Sequence, residues 1–146
     1  GIRVLLQVKR PFWKAAGLSG AARTDRATEI SDATNEQRGS ARGILAATTG
    51  GGTASVAAGV DLVADAFPAI RSELEKGTVH QWSAEPWTRG AFALYRPGQM
   101  TSLMPALASA EGGLHFAGEH TSAWTGWMEG ALESGERAAR EVLSAR

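Results

Sequence analysis

The sequence predicts an α/β fold, and three patterns predict it. Ile2 to Val8 (IRVLLQV) is a run of branched residues that favours a strand, expected to be buried on both faces. Val56, Val60, Val63 and Phe67 recur at helical spacing, as do Met128, Ala131, Leu132, Gly135, Ala139 and Val142. Leu114 to Ala117 alternates like a strand and breaks at Gly118, just ahead of the second helix.

In chain order, Pro11 ends the first strand, and Phe12 and Trp13 are placed to pack a loop against the core. Ala15 to Gly43 is polar and rich in small residues, which predicts loops with one or two short strands. Ile44 to Thr48 reads as another strand. The Gly50–Gly52 run after it lacks both GxGxxG spacing and a following Lys-Ser or Lys-Thr, so it reads as a flexible turn rather than a phosphate loop. A helix is expected from about Thr53 to Phe67, stopped by Pro68, then a short helix over Ile70 to Lys76 closed by Gly77. Thr78 to Trp82 reads as a strand, Ser83 to Arg89 as a turn, and Met100 to Leu107 as a helix.

The stretch from Leu114 to Val142 carries the strongest signal: strand, polar loop, long amphipathic helix. Glu129, Glu133, Glu136, Arg137 and Arg140 fall mostly opposite its apolar stripe, and Glu133 with Arg137 and Glu136 with Arg140 are in the favourable acid-first order. The helix start is unusual. Gly126, Trp127 and Gly130 stand where an ordinary surface helix carries a cap and acids, although an interior glycine costs roughly 1 kcal/mol against alanine. Gly130 and Gly135 therefore predict close approach of the helix to something else. Its unpaired N–H groups suit an anion or an electron-rich ring edge, so the bottom-up reading is a cofactor-facing helix start.

Composition narrows the classes. The chain has 146 residues, 43% of them hydrophobic, enough by length for one core. Fifteen basic and fifteen acidic residues, scattered along the chain, give no basic patch for nucleic acid or an acidic membrane. The absence of cysteine excludes a disulfide scaffold and thiol catalysis. No apolar run approaches a membrane span. The chain starts with Gly1 straight into a strand pattern and shows no signal sequence, which predicts a soluble and processed chain; secretion and a cytoplasmic location both stay open. His115, His120, Glu119 and Glu129 lack metal-ligand spacing, so no metal site is expected, and His80 reads as a packing or surface residue.

The segment FAGEHTSAWTGWMEGALESGERAA resembles the C-terminal flavin-binding signature of the flavin-containing amine oxidases, the family of monoamine oxidases and L-amino-acid oxidases. The resemblance implies the C-terminal part of a two-domain flavoprotein, with residues 1–88 in a mixed-sheet substrate domain and 89–146 in a Rossmann-like FAD-binding domain. Gly118 and Glu119 match the family's pair that binds the ribityl and phosphate region of FAD. Met128 matches the residue whose N–H faces the pyrimidine edge of the flavin. Trp127 matches the aromatic that lines the substrate site, and the Gly126 carbonyl is placed near the substrate amine.

Two other stretches resemble the family. In RGAFALYRPGQM, Gly90 and Ala91 fall on a loop that crosses near the flavin, and Phe92 on the aromatic wall opposite Trp127. Ala91 stands where some monoamine oxidases carry the cysteine joined to flavin, so non-covalent FAD is implied. Ten residues before Trp13, where the family has a lysine that holds a water beside flavin N5, this sequence has Arg3. Arginine keeps the charge, but its planar head cannot reproduce an ammonium's geometry; a surface strand-end charge is the other reading of Arg3.

No GxGxxG fingerprint is present, and the resemblance spans about the last third of a typical family member. The fold is thus expected to be incomplete without an N-terminal partner chain that carries the fingerprint, in a higher hetero-oligomer made by proteolysis or split genes. The implied activity is oxidative deamination of an L-amino acid by O2 to a 2-oxo acid, ammonia and hydrogen peroxide. The alternatives are a monoamine or polyamine oxidase, a flavin amino-acid 2-monooxygenase, and a non-catalytic flavin-binding or regulatory subunit.

Overall fold

A four-stranded antiparallel sheet forms around the branched N-terminal run. The computed structural model describes residues 1–34, 39, 41–52 and 54–145 and divides into two units, 1–90 and 91–146. In the first, β1 (Ile2–Val8) lies between β3 (Gly43–Thr49) and β4 (Leu74–Gln81), and β2 (Glu29–Asp32) adds to the outer edge of β3. The order is β2-β3-β1-β4.

Burial alternates along β1. Ile2, Val4, Leu6 and Val8 are buried, while Arg3 and Leu5 are exposed and Gln7 is half-buried. The sequence reading of a strand buried on both faces is therefore corrected: one face is covered, by α2 (Val56–Ala64). Ser55 caps that helix through a bond from the Ala58 N–H to its hydroxyl at 3.1 Å. A Cβ on Gly59 would stand 2.4 Å from Val4 Cγ1, so helix and strand meet where a side chain has no room. Leu45, Ala47, Ile30, Val60, Val63, Phe67 and Ile70 complete the core, and each large aliphatic contributes about 1.5–3 kcal/mol by leaving water.

The Phe12–Trp13 corner is a helical turn rather than a loop, α1 (Phe12–Ala15). Trp13 is fully buried, and its indole N–H donates to Asp32 Oδ2 at 3.0 Å. The expected start at Thr53 lies outside the described residues, as do 35–38 and 40 in the polar stretch; the regular part of the helix ends at Ala64, before Phe67. The helix expected over Ile70 to Lys76 is cut to α3 (Ile70–Glu73). Leu74 turns extended because the free edge of β1 offers a hydrogen-bonding ladder from Val8↔Leu74 onward, and that outweighs local helix preference.

The second unit contains α4 (Gln99–Ser102), α5 (Met104–Ala108) and α6 (Met128–Ser144). The single helix expected over Met100 to Leu107 is broken at Leu103, because Pro105 fits only the first turn of a new helix. The strand expected over Leu114 to Ala117 does not form. Leu114 makes one isolated bridge to Glu111, and the described residues of this unit offer no strand with which a ladder could form.

The apolar stripe of α6 is not its packing face within this unit. Gly130 and Ser134 are buried and Arg137 is half-buried, whereas Met128, Leu132 and Val142 on the apolar stripe are exposed, Leu132 at 73%. Gly130 does mark a close approach, since a Cβ there would lie 2.4 Å from the Trp124 carbonyl oxygen; Gly135 has nothing near it. Glu136 pairs with Arg140 at 2.8 Å as expected, but Arg137 pairs with Glu141 at 2.7 Å and Glu133 accepts from the Ser122 hydroxyl instead.

Candidate functional site

The start of α6 gathers most of the residues singled out in the sequence. Trp127 occupies the cap position with extended backbone and no capping side chain, so the first N–H groups of the helix, Met128 foremost, are left for another partner. Trp127 is 66% exposed and Met128 80%. Two large apolar side chains thus stand in the open at the positive end of a 17-residue helix dipole.

Gly118 holds the loop before that helix. Its N–H donates to the Ser134 hydroxyl on α6 at 2.9 Å, and its carbonyl accepts from the Thr121 N–H at 3.0 Å and hydroxyl at 2.9 Å. Its φ of 142° suits glycine. Arg137 fastens the same loop, donating to the carbonyls of Ala108 and Phe116 at 2.9 Å each and to the Thr121 hydroxyl at 3.1 Å. Buried Ser134 and Thr121 are therefore satisfied polar groups, not vacancies in an apolar core.

Glu119 projects from this loop into a set of donors. Oε1 accepts the Ala93 N–H at 2.8 Å; Oε2 accepts the Gly126 N–H at 2.8 Å and the Thr125 hydroxyl at 2.9 Å. Burial pushes the carboxyl up, but the amides of Gly126 and Ala93 and the Thr125 hydroxyl outweigh it and hold Glu119 below the usual carboxylate range. The side chain is therefore a carboxylate at neutral pH. A carboxylate accepts at about four positions, and three are taken within the chain.

Phe92 is 55% exposed and lies against Gly126, where a Cβ would be 3.6 Å from its Cδ2. The second unit thus brings together Ala91, Phe92, Gly118, Glu119, Gly126, Trp127 and Met128. Arg3 and Gly90 belong to the first unit. Arg3 is exposed on β1, opposite His80 on β4, and donates to Thr48 Oγ1 at 3.0 Å without a carboxylate partner among the described residues. Ala93, Thr125, Ser134 and Arg137 were not legible as site residues. Ala93 acts through its backbone N–H, which no side chain announces; Gly130 and Ser134, four apart and both small, were a readable sign of the true packing face.

An uncapped helix start, a glycine-glutamate turn and two bare aromatics stand together at the start of α6. Residues 1–143 match the model of the flavin containing amine oxidoreductase family, and the chain belongs to that family. A flavin is accordingly the cofactor of its class. A putative L-amino-acid oxidase of Bacillus subtilis, YobN, is 47% identical over 73 residues, half of this chain and 15% of that protein. An L-glutamate oxidase precursor of Streptomyces viridosporus is 46% identical over 69 residues, 47% of this chain and 10% of the precursor. The flavin-containing amine oxidase B of Sus scrofa is 46% identical over 66 residues, 44% of this chain and 13% of that enzyme.

Among solved structures, cyclohexylamine oxidase from Brevibacterium oxydans superposes with a TM-score of 0.81 at 25% identity, covering 99% of this chain and 35% of that one. Putrescine oxidase bound to putrescine gives 0.79 at 24% over 98% of this chain and 34% of that one, a likeness of fold. The chain thus spans about a third of the solved enzymes, and the alignments to curated relatives cover 10–16% of those proteins. No helix among the described residues is long and apolar enough to cross a membrane.

Proposed function

We propose that this chain supplies the C-terminal part of an FAD-dependent L-amino-acid oxidase, which converts an L-amino acid to its 2-oxo acid with release of ammonia and hydrogen peroxide. The observation that carries the reading is the pair of exposed aromatics, Phe92 and Trp127, fixed beside the uncapped start of α6. Residues 1–88 belong to the substrate domain and 89–146 to the FAD domain.

A bound flavin supplies the two-electron oxidation of the amine. The chain's own groups supply orientation and charge. The Met128 N–H and the helix dipole favour negative charge on a ring edge placed before them. Trp127 and Phe92 form the walls between which the substrate amine is aimed, with the Gly126 carbonyl as its acceptor. Gly118 and Glu119 would hold the ribityl region of FAD, and Gly90 and Ala91 would line the cofactor. Ala91 is no nucleophile and the chain has no cysteine, so this chain forms no cysteinyl link, which favours non-covalent FAD.

The relatives named as L-amino-acid and L-glutamate oxidases favour an amino acid as substrate. Near-equal identity to amine oxidase B keeps a simple amine as the second reading. The pyrophosphate site comes from a portion with the GxGxxG fingerprint, which these 146 residues do not contain. The test is visible absorbance and intact mass of the native complex, followed by peroxide release across L-amino acids and amines. A yellow complex with releasable FAD that oxidises L-amino acids supports the reading; a colourless one, or one that oxidises only simple amines, overturns it.

A further inference from the structure

The two aromatic walls are carried by segments with little else to fix their spacing. Residues 91–94 form neither helix nor strand. Among the described residues, the hydrogen bonds that reach them are the Ala93 N–H to Glu119 Oε1 at 2.8 Å and a contact from Thr125 Oγ1 to the Ala93 carbonyl at 3.3 Å. On the other side, Glu119 Oε2 holds the Gly126 N–H at 2.8 Å and the Thr125 hydroxyl at 2.9 Å. One carboxylate therefore grips the residue after Phe92 and the residue before Trp127.

Glu119 is itself anchored. Gly118 is bonded to Ser134 on α6, and the Thr121 hydroxyl beside it receives Arg137. A chain of contacts thus runs from α6 through Gly118 and Glu119 to both walls. Charge-assisted bonds of this kind are about twice as strong as neutral ones, and here they replace the ladder that regular structure would supply.

We propose that Glu119 is a positioning residue whose carboxylate sets the separation of Phe92 and Trp127, and so shapes the opening that receives the substrate amine. The proposal rests on the oxidase reading above for its kinetic consequence, but not for its geometry. Glutamine at 119 keeps the length and one carbonyl acceptor, while its NH2 meets N–H donors that it cannot accept. One wall is then released.

The test uses the full-length enzyme with Glu119→Gln and, as a milder variant, Thr125→Val. In the flavin-free protein, amide exchange at Ala93 and Gly126 is expected to accelerate in Glu119→Gln while amides of β1 keep their protection. In the enzyme saturated with FAD, kcat/KM is expected to fall about 100-fold, since small misplacements of a reacting group cost that much. Thr125→Val should lower kcat/KM in the same direction by a smaller factor. Unchanged exchange at both amides overturns the proposal. So does loss of FAD from Glu119→Gln with normal turnover in the loaded fraction, which would make Glu119 a cofactor ligand alone. Wild-type enzyme without amine oxidation would sink the oxidase reading and leave the amide-exchange result to judge the clamp.

Discussion

The first unit keeps most of its large apolar residues inside, with Leu18 and Trp87 the main exceptions, and the second wears them outside. In residues 1–90 a one-sided sheet and α2 close over Leu6, Leu45, Val63 and Ile70, all with almost no exposure. In residues 91–146 the buried side chains are Thr121, Ser122 and Ser134, and what holds the loops is hydrogen bonding to Ser134, Arg137 and Glu119. Trp124, Trp127, Met128, Leu132 and Leu143 are each more than 60% exposed there. The difference teaches that hydrophobic burial sets the first unit's stability, while directional bonds set the second unit's geometry and leave its apolar groups free to meet something else.

Two tryptophans give the sharpest test of that contrast. Trp13→Ala should cost about 3–5 kcal/mol in denaturant unfolding, as a buried ring is lost. Trp127→Ala should leave stability within about 0.5 kcal/mol and FAD bound, yet lower turnover about 100-fold in the complete enzyme. Equal losses of stability would break the comparison, and release of FAD would give Trp127 a structural task.

Next in size come two local changes. Gly59→Ala forces a Cβ onto Val4 and should cost about 1–3 kcal/mol, read as faster exchange across β1. Ser134→Ala leaves the Gly118 N–H without its partner, also about 1–3 kcal/mol, but with loosening confined to residues 115–126. If Ser134→Ala loosens β1 as well, the units are not separable in this way.

Acid should act on the second unit first. Burial raises the Glu119 carboxyl but its three donors lower it more, and Glu141 is held low by His115 and then Arg137. Groups with depressed folded pKa values stabilise fully above their unfolded pKa, near 4, and lose that contribution as pH falls through the folded value. The protection of the Ala93 and Gly126 amides, relative to their intrinsic exchange rates, should therefore fall below about pH 4 while that of the sheet core persists. Asp32 behind Trp13 is also depressed, although burial is the largest single influence and raises it, with Thr34 and Trp13 bonds prevailing; a sheet that melts before residues 91–126 loosen would reverse the order.

The smallest effect belongs to the open stripe. Leu132→Ala should change the stability of this chain by less than about 0.5 kcal/mol, because the side chain is already in water. A larger loss in the complete enzyme would show that the stripe is covered there.

Most of the first unit was legible because its patterns are local. The run Ile2 to Val8 and the spacing of Val56, Val60 and Val63 state strand and helix directly. What the residues could not state was one-sided burial of β1 or the conversion of Leu74 to Lys76 from helix to strand, since both depend on which neighbour is present across space. In the second unit the signature around Glu119 and Trp127 named residues that the fold brings together, yet the apolar stripe of α6 lies exposed. Apolar periodicity tells which residues would gain most from burial; it does not tell whether this chain provides the partner.

By itself, then, the sequence determined β1, the helix over Val56 to Val63, the long C-terminal helix and the family, because spacing and residue type carry those. Only the tertiary structure decided that Glu119 ties Ala93 to Gly126, that Ser134 and Arg137 rather than Leu132 face inward, and that Leu114 to Ala117 stays irregular. The physical reason is that backbone N–H groups and strand ladders are satisfied by whatever lies nearby, and proximity is a property of the folded chain, not of the order of its residues.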